Sequence, residues 1–71
     1  DSEKPVHEML TDREFQVFRG LASGKKIKAI ADELCLSINT ISTYRSRILQ
    51  KMDMASNAEL IRYAIEKGLI S

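Results

Sequence analysis

The chain has no tryptophan, one cysteine, one histidine and one proline in 71 residues, and it has no long apolar run. Each scarcity excludes something. A single cysteine, Cys35, rules out an internal disulfide and any zinc site built from clustered cysteines, and reads as a small buried hydrophobe. A single histidine, His7, and scattered carboxylates supply neither a nucleophile–base–orienter set nor metal-ligand spacing, so no enzymatic chemistry and no cofactor are expected. No apolar stretch nears the ~18 residues of a membrane span, and no signal-peptide pattern is present. The chain therefore reads as cytoplasmic, with no membrane partner. Its length suits one small domain that buries about 60% of its unfolded surface and is marginally stable. Residues 1–9, DSEKPVHEM, hold the proline, are polar and read as a linker. With no starting methionine, the expectation is a domain cut from a longer protein, residues 10–71 forming the folded unit.

Charge is nearly balanced overall, at +1, but it is unevenly placed. Between Gly24 and Met52 there are six lysines and arginines against Asp32 and Glu33, whereas the remainder holds five against eight acids. The basic stretch points to an anionic partner more clearly than the total does.

Four helices are legible. Thr11-Asp12-Arg13-Glu14 is a capping box, with Leu10 and Phe15 at the staple positions on either side. Phe15, Val17, Phe18, Leu21 and Ala22 supply the apolar side, and Gly24 suits a left-handed stop. A second helix is predicted from about Ile27 to Leu34, with Ile27, Ile30, Ala31 and Leu34 inward and a poorly capped start. Cys35-Leu36-Ser37 is the turn, and Ser37 caps a third helix from Ile38 to about Met52. Ser56-Asn57-Ala58-Glu59 reads as a second capping box opening a fourth helix that Gly68 can end. No strand alternation is evident. The fold class is all-α, a four-helix helix-turn-helix domain.

The third helix has two faces with different work. Ile38, Ile41, Ile48 and Met52 recur at helical spacing as one apolar stripe. Asn39, Ser42, Thr43, Ser46 and Gln50 fall on another side as uncharged hydrogen-bonders, with Arg45, Arg47 and Lys51 along the flanks. Such a helix suits a DNA major groove, because short side chains let its axis approach base edges while cations meet phosphates. Ser42, Thr43 and Ser46 are the candidate base-contacting residues. A hydroxyl can pair with any base edge, and the Thr43 methyl can touch a thymine methyl. Arg45, Arg47 and Lys51 are backbone candidates, joined by Lys25 and Lys28. Tyr44 reads as a packed ring. In the fourth helix, Leu60, Ile61 and Ala64 can face the core, leaving Ala58, Arg62, Ile65 and Leu69 along an edge where a two-fold copy could pack.

The stretch from Leu10 to Gly68 resembles the LuxR/FixJ/NarL-type helix-turn-helix domain. The markers are LTxRE at Leu10 to Glu14, Gly24, the pattern of Ile30, Ala31 and Leu34, Ser37 with Thr40-Ile41, Ile48 with Lys51-Met52, and Ser56 with Glu59. The resemblance implies a transcription regulator whose third helix reads the major groove of double-stranded DNA and whose fourth helix makes a dimer contact. It also implies that Thr40 hydrogen-bonds a phosphate, that Lys51 is a phosphate contact, and that a receiver or ligand-sensing domain precedes this one. Among receiver-linked members, phosphorylation would free or dimerise the domain. Two departures stand out: Ser42 where many members carry lysine, and Tyr44 where many carry histidine. The reading is therefore the effector domain of a two-component response regulator, a homodimer on DNA. The alternative is an interaction module that docks on RNA polymerase or another protein without sequence-specific DNA binding.

Overall fold

A computed structural model describes residues 9–69 of the chain. Most of the expected linker, with His7, falls on residues 1–8, outside the described residues, as do residues 70 and 71. Four helices follow one another: α1 (Asp12–Ala22), α2 (Ile27–Leu34), α3 (Ile38–Lys51) and α4 (Asn57–Glu66), with no strand among the described residues. The all-α, four-helix expectation therefore holds.

The helix starts show which caps the sequence encodes. At α1, the Thr11 hydroxyl accepts from the Glu14 amide at 3.2 Å, and the Glu14 carboxylate accepts from the Thr11 amide at 3.0 Å. Two of the donors that a helix start leaves unpaired are thereby satisfied. At α3, Ser37 Oγ accepts from the Thr40 amide at 3.1 Å. α2 has Lys26 at its N-cap and no side-chain cap bond, as expected of a start preceded by lysines. The second expected capping box does not form: Ser56 stands at the N-cap of α4 without a side-chain cap bond. The first turn of α4 is held by the Ser56 carbonyl, which accepts from the Glu59 amide, and by a side-chain tie through Asn57.

All four helices end in the same way. A left-handed residue follows the last turn, and paired backbone bonds close it. At α1 the pair is Gly24 N to Leu21 O, 3.1 Å, and Lys25 N to Gly20 O, 3.0 Å. At α4 it is Gly68 N to Ile65 O, 3.2 Å, and Leu69 N to Ala64 O, 2.8 Å. Glycine meets the positive φ without a Cβ penalty at both places. At α2 and α3 the left-handed residues are Cys35, φ 59°, and Asp53, φ 55°. The residues that follow, Leu36, Met54 and Leu69, turn back onto the core.

That geometry corrects the reading of Cys35. It is exposed, not buried, because it occupies the apex of the α2–α3 turn while its neighbours Leu34 and Leu36 take the inward positions.

The core gathers on α1, which packs against each of the other three helices. Val17, Phe18 and Leu21 meet Ile30 and Ala31 of α2, Ile41 and Ile48 of α3 with Met52, and Leu60 and Ala64 of α4. Gly20 is buried where α1 crosses α2, and a Cβ built there would stand 2.9 Å from Ile30 Cγ1. Phe18 also meets the Tyr63 ring edge-on at 6.3 Å. Two expectations fail. Ile38 is 50% exposed, because the first residue of α3 lies at the rim of the turn instead of over the core. Ile61 is half-exposed and outside the core, where Tyr63 takes the third inward position of α4.

Candidate nucleic-acid interface

α3 is 14 residues long and is fixed along one edge by the fully buried Ile41 and Ile48. Tyr44 and Leu49 pack beside them, half-buried, as the ring of Tyr44 was expected to do. The opposite side carries Asn39, Ser42, Thr43, Ser46, Arg47 and Gln50, all exposed. The structure thus brings the three sequence-predicted base readers onto one open face of a helix anchored from behind. Their spacing, i, i+1 and i+4 from Ser42, keeps them within one turn of each other.

Hydrogen bonds divide the polar side chains of α3 into two groups. Thr40 Oγ1 lies 2.9 Å from Ser37 Oγ, and Thr43 Oγ1 donates to the Asn39 carbonyl at 3.1 Å, a bond back along the helix. Arg45 Nε donates to Asn57 Oδ1 at 2.8 Å, tying α3 to the start of α4. Lys51 Nζ donates to Glu14 Oε1 at 2.7 Å, tying the end of α3 to the start of α1. Asn39, Ser42, Ser46, Arg47 and Gln50 form no side-chain bond to the described residues.

The Glu14–Lys51 pair is the electrostatic anchor of the helix. The Glu14 side chain is 4% exposed and that of Lys51 37%. Burial pushes the carboxyl pKa up, but the Lys51 hydrogen bond and charge and the Thr11 amide and hydroxyl outweigh it and hold the group below its ordinary range. Glu14 is therefore a buried carboxylate whose charge is satisfied on two sides. No local pattern reveals this tie, since its partners stand 37 residues apart.

The remaining backbone candidates also separate. Lys25 reaches both oxygens of Glu33, at 2.9 and 2.8 Å, across an exposed surface. Lys28 and Arg47 are exposed and form no ion pair among the described residues. On α4, Ala58 is exposed, Ile65 is 60% exposed, and Arg62 pairs with Glu66 at 3.4 Å in open solvent. Leu69, expected on the same edge, is half-buried against the core. Ile61 joins Ala58 and Ile65 on the open side of the helix.

Comparison with known proteins gives one answer. Residues 8–64 match the family described as bacterial regulatory proteins, luxR family. The chain is 44% identical over 61 residues to the transcriptional activator protein ExaE of Pseudomonas putida, covering 86% of this chain and 28% of that one. It is 39% identical over 61 residues to the response regulator GacA of Pseudomonas aeruginosa, with the same coverages of 86% and 28%. Its fold superposes on full-length FixJ from B. japonicum with a TM-score of 0.84 and 38% identity, over 93% of this chain and 32% of FixJ. The chain thus spans about a third or less of the length of these relatives. Among the described residues, no helix is long and apolar enough to cross a membrane. With the helix order, the anchored third helix and these likenesses together, the chain is a helix-turn-helix DNA-binding domain of transcription regulators and belongs to the luxR family of bacterial regulatory proteins.

Proposed function

We propose that this domain is the effector of a two-component response regulator and that it binds DNA by laying α3 in the major groove. The observation that carries the reading is the open face of α3, uncharged at its centre and bordered by Arg47 and Lys51. On this reading Ser42, Thr43 and Ser46 meet base edges. Thr40, Arg45, Arg47 and Lys51 approach phosphates from α3, and Lys25 and Lys28 approach them from the neighbouring helix. Relatives of about three times the length, one of them named a response regulator, support a receiver outside this chain. The cytoplasm, where the DNA is, is the place of action. The name of ExaE as an activator supports contact with RNA polymerase as the downstream step.

Two copies bind one DNA site through α4. The exposed Ala58 and Ile65 and the half-exposed Ile61 form a small apolar strip beside Arg62, and a two-fold axis would set this strip against itself. So small a contact is weak alone and gains from both copies sitting on adjacent half-sites.

The deciding experiment selects bound duplexes from a random pool, then measures affinity on the selected and scrambled sites across a salt series. The expected outcome is a preferred sequence and, for three to four phosphate contacts, a log–log salt slope of about −3 per subunit. An interaction module without DNA recognition would give no enriched sequence and no salt-sensitive complex.

A further inference from the structure

We infer that Asn39 reads an adenine in each half-site and is a specificity-determining residue of α3. The inference rests on the groove-binding reading above and deepens it. Asn39, Ser42, Thr43 and Ser46 stand at i, i+3, i+4 and i+7, so they form one continuous stripe on the exposed face. Asn39 is its N-terminal member, at the end of the helix from which helix-turn-helix proteins address base edges.

The hydrogen-bonding inventory of that stripe singles it out. The Thr43 hydroxyl is committed to the Asn39 carbonyl at 3.1 Å, so Thr43 offers its methyl group to a ligand. Ser42 and Ser46 keep free hydroxyls, which suit any base and discriminate poorly. The Asn39 amide is exposed and bonds none of the described residues. On the open face only Asn39 and Gln50 present an amide donor and acceptor side by side, and Gln50 stands 11 residues on, about three turns away from the N-terminal end that addresses base edges. The major-groove edge of adenine presents the complement: N7 accepts from the amide nitrogen, and the N6 amino group donates to the amide oxygen. The Thr43 bond to the Asn39 carbonyl pins the backbone from which this amide projects.

The test uses the 71-residue chain and its selected site. Each adenine of a half-site is replaced in turn by 7-deazaadenine, which keeps base pairing but carries a C–H where N7 was. At one position the replacement is expected to weaken binding about tenfold, as befits half of a bidentate pair. In Asn39→Ala the same replacement is expected to cost nothing, while unmodified DNA binds as weakly as the deaza duplex or worse. Alanine suits an exposed helical position, and circular dichroism confirms that α3 is kept. A deaza penalty that survives Asn39→Ala, or no sensitive adenine in a site whose preference still changes with Ser42 or Ser46 substitutions, overturns the inference and leaves α3 as the reader. Loss of all sequence preference in the unaltered chain overturns the groove reading itself.

Discussion

Replacing Lys51 with methionine leaves the Glu14 carboxylate buried with one of its two partners gone. Methionine keeps most of the apolar stem, so the change is chiefly one of charge. Removing one partner of a fully buried pair costs about 3–5 kcal/mol. Here the lysine end is 37% exposed and the carboxylate keeps the Thr11 amide, so about 2 kcal/mol is the appropriate figure. In a domain of this size that lowers Tm by roughly 10 °C. Glu14→Gln keeps the box acceptor, removes the charge and should cost about 1 kcal/mol. The two changes together should not add. In the Lys51→Met background the glutamine relieves a stranded charge, so the double variant should be more stable than Lys51→Met alone.

The same pair sets a pH signature. In the native chain the Glu14 pKa is lowered, so its contribution is present above the ordinary carboxylate range and is lost as pH falls through the lowered value. In Lys51→Met only Thr11 still opposes burial, so the Glu14 pKa rises relative to its native value. That variant is relieved by protonation at a higher pH than the native chain, so its deficit against the native chain should shrink as pH falls through the carboxylate range. The double variant has no carboxylate at position 14, so its deficit should hold steady above the ordinary carboxylate range and shrink only below it, where the native chain loses the Glu14 contribution. Thermal and urea unfolding followed by circular dichroism at several pH values would measure all three. A strictly additive cycle, or a Lys51→Met deficit that ignores pH, would refute the claim that the lysine's chief structural task is to neutralise a buried carboxylate. The double variant also serves the functional question, since it recovers the fold without recovering a cation for phosphate.

Three further substitutions test the packing and the open surfaces. Gly20→Ala places a methyl 2.9–3.0 Å from Ile30 Cγ1 and Cδ1, and should destabilise by about 1–3 kcal/mol in urea unfolding; an unchanged midpoint would mean that α1 and α2 separate freely. Cys35→Gly relieves a left-handed residue at φ 59° and should stabilise by up to about 1 kcal/mol, whereas Cys35→Val should destabilise; the reverse order would remove the turn conformation as the cause. Ile65→Glu, at a position 60% exposed, should leave unfolding unchanged yet abolish cooperative binding to a two-half-site duplex; sedimentation of that complex at full cooperativity would defeat the α4 dimer.

The helices were legible where a signal is local. Thr11 and Glu14 stand three apart and close as a box, Ser37 caps the helix that follows it, and the 3.6-residue rhythm of Val17, Phe18 and Leu21 or of Ile41 and Ile48 marks the buried edge. Signals failed where tertiary context decides. Ser56 has the capping-box spacing with Glu59, but makes no side-chain cap. Periodicity places Ile38 on the stripe with Ile41, yet the turn carries the first residue of α3 out to the rim. It also favoured Ile61 over Tyr63, although it is the Tyr63 ring that packs on the core and meets Phe18 of α1. Cys35 had a usable signal: an apolar residue directly after it, as at Asp53-Met54 and Gly68-Leu69, marks a helix that turns back onto its own core.

The candidate site was legible as a face but not as a set of free groups, and that difference bears on how the domain holds DNA. The sequence presents Arg45, Arg47 and Lys51 as equivalent flanking cations. The fold assigns Arg45 to Asn57 and Lys51 to Glu14, so these two orient α3 against α4 and α1 before any phosphate arrives. A guanidinium bonded through Nε keeps its terminal amino groups, and an ammonium donating once keeps two hydrogens, so each can brace the helix and still meet an anion. Arg47 has no such prior engagement among the described residues, and neither does Lys28. Preorganised donors lose less entropy on binding than free ones do, while free ones gain more from a new partner. On the proposed docking the two kinds of cation divide the work: the anchored ones fix the register of α3 relative to the DNA backbone, and the free ones add affinity on any sequence. On that docking register comes first, because a stripe of short side chains such as Ser42 and Ser46 can meet base edges only when the helix axis lies at one depth.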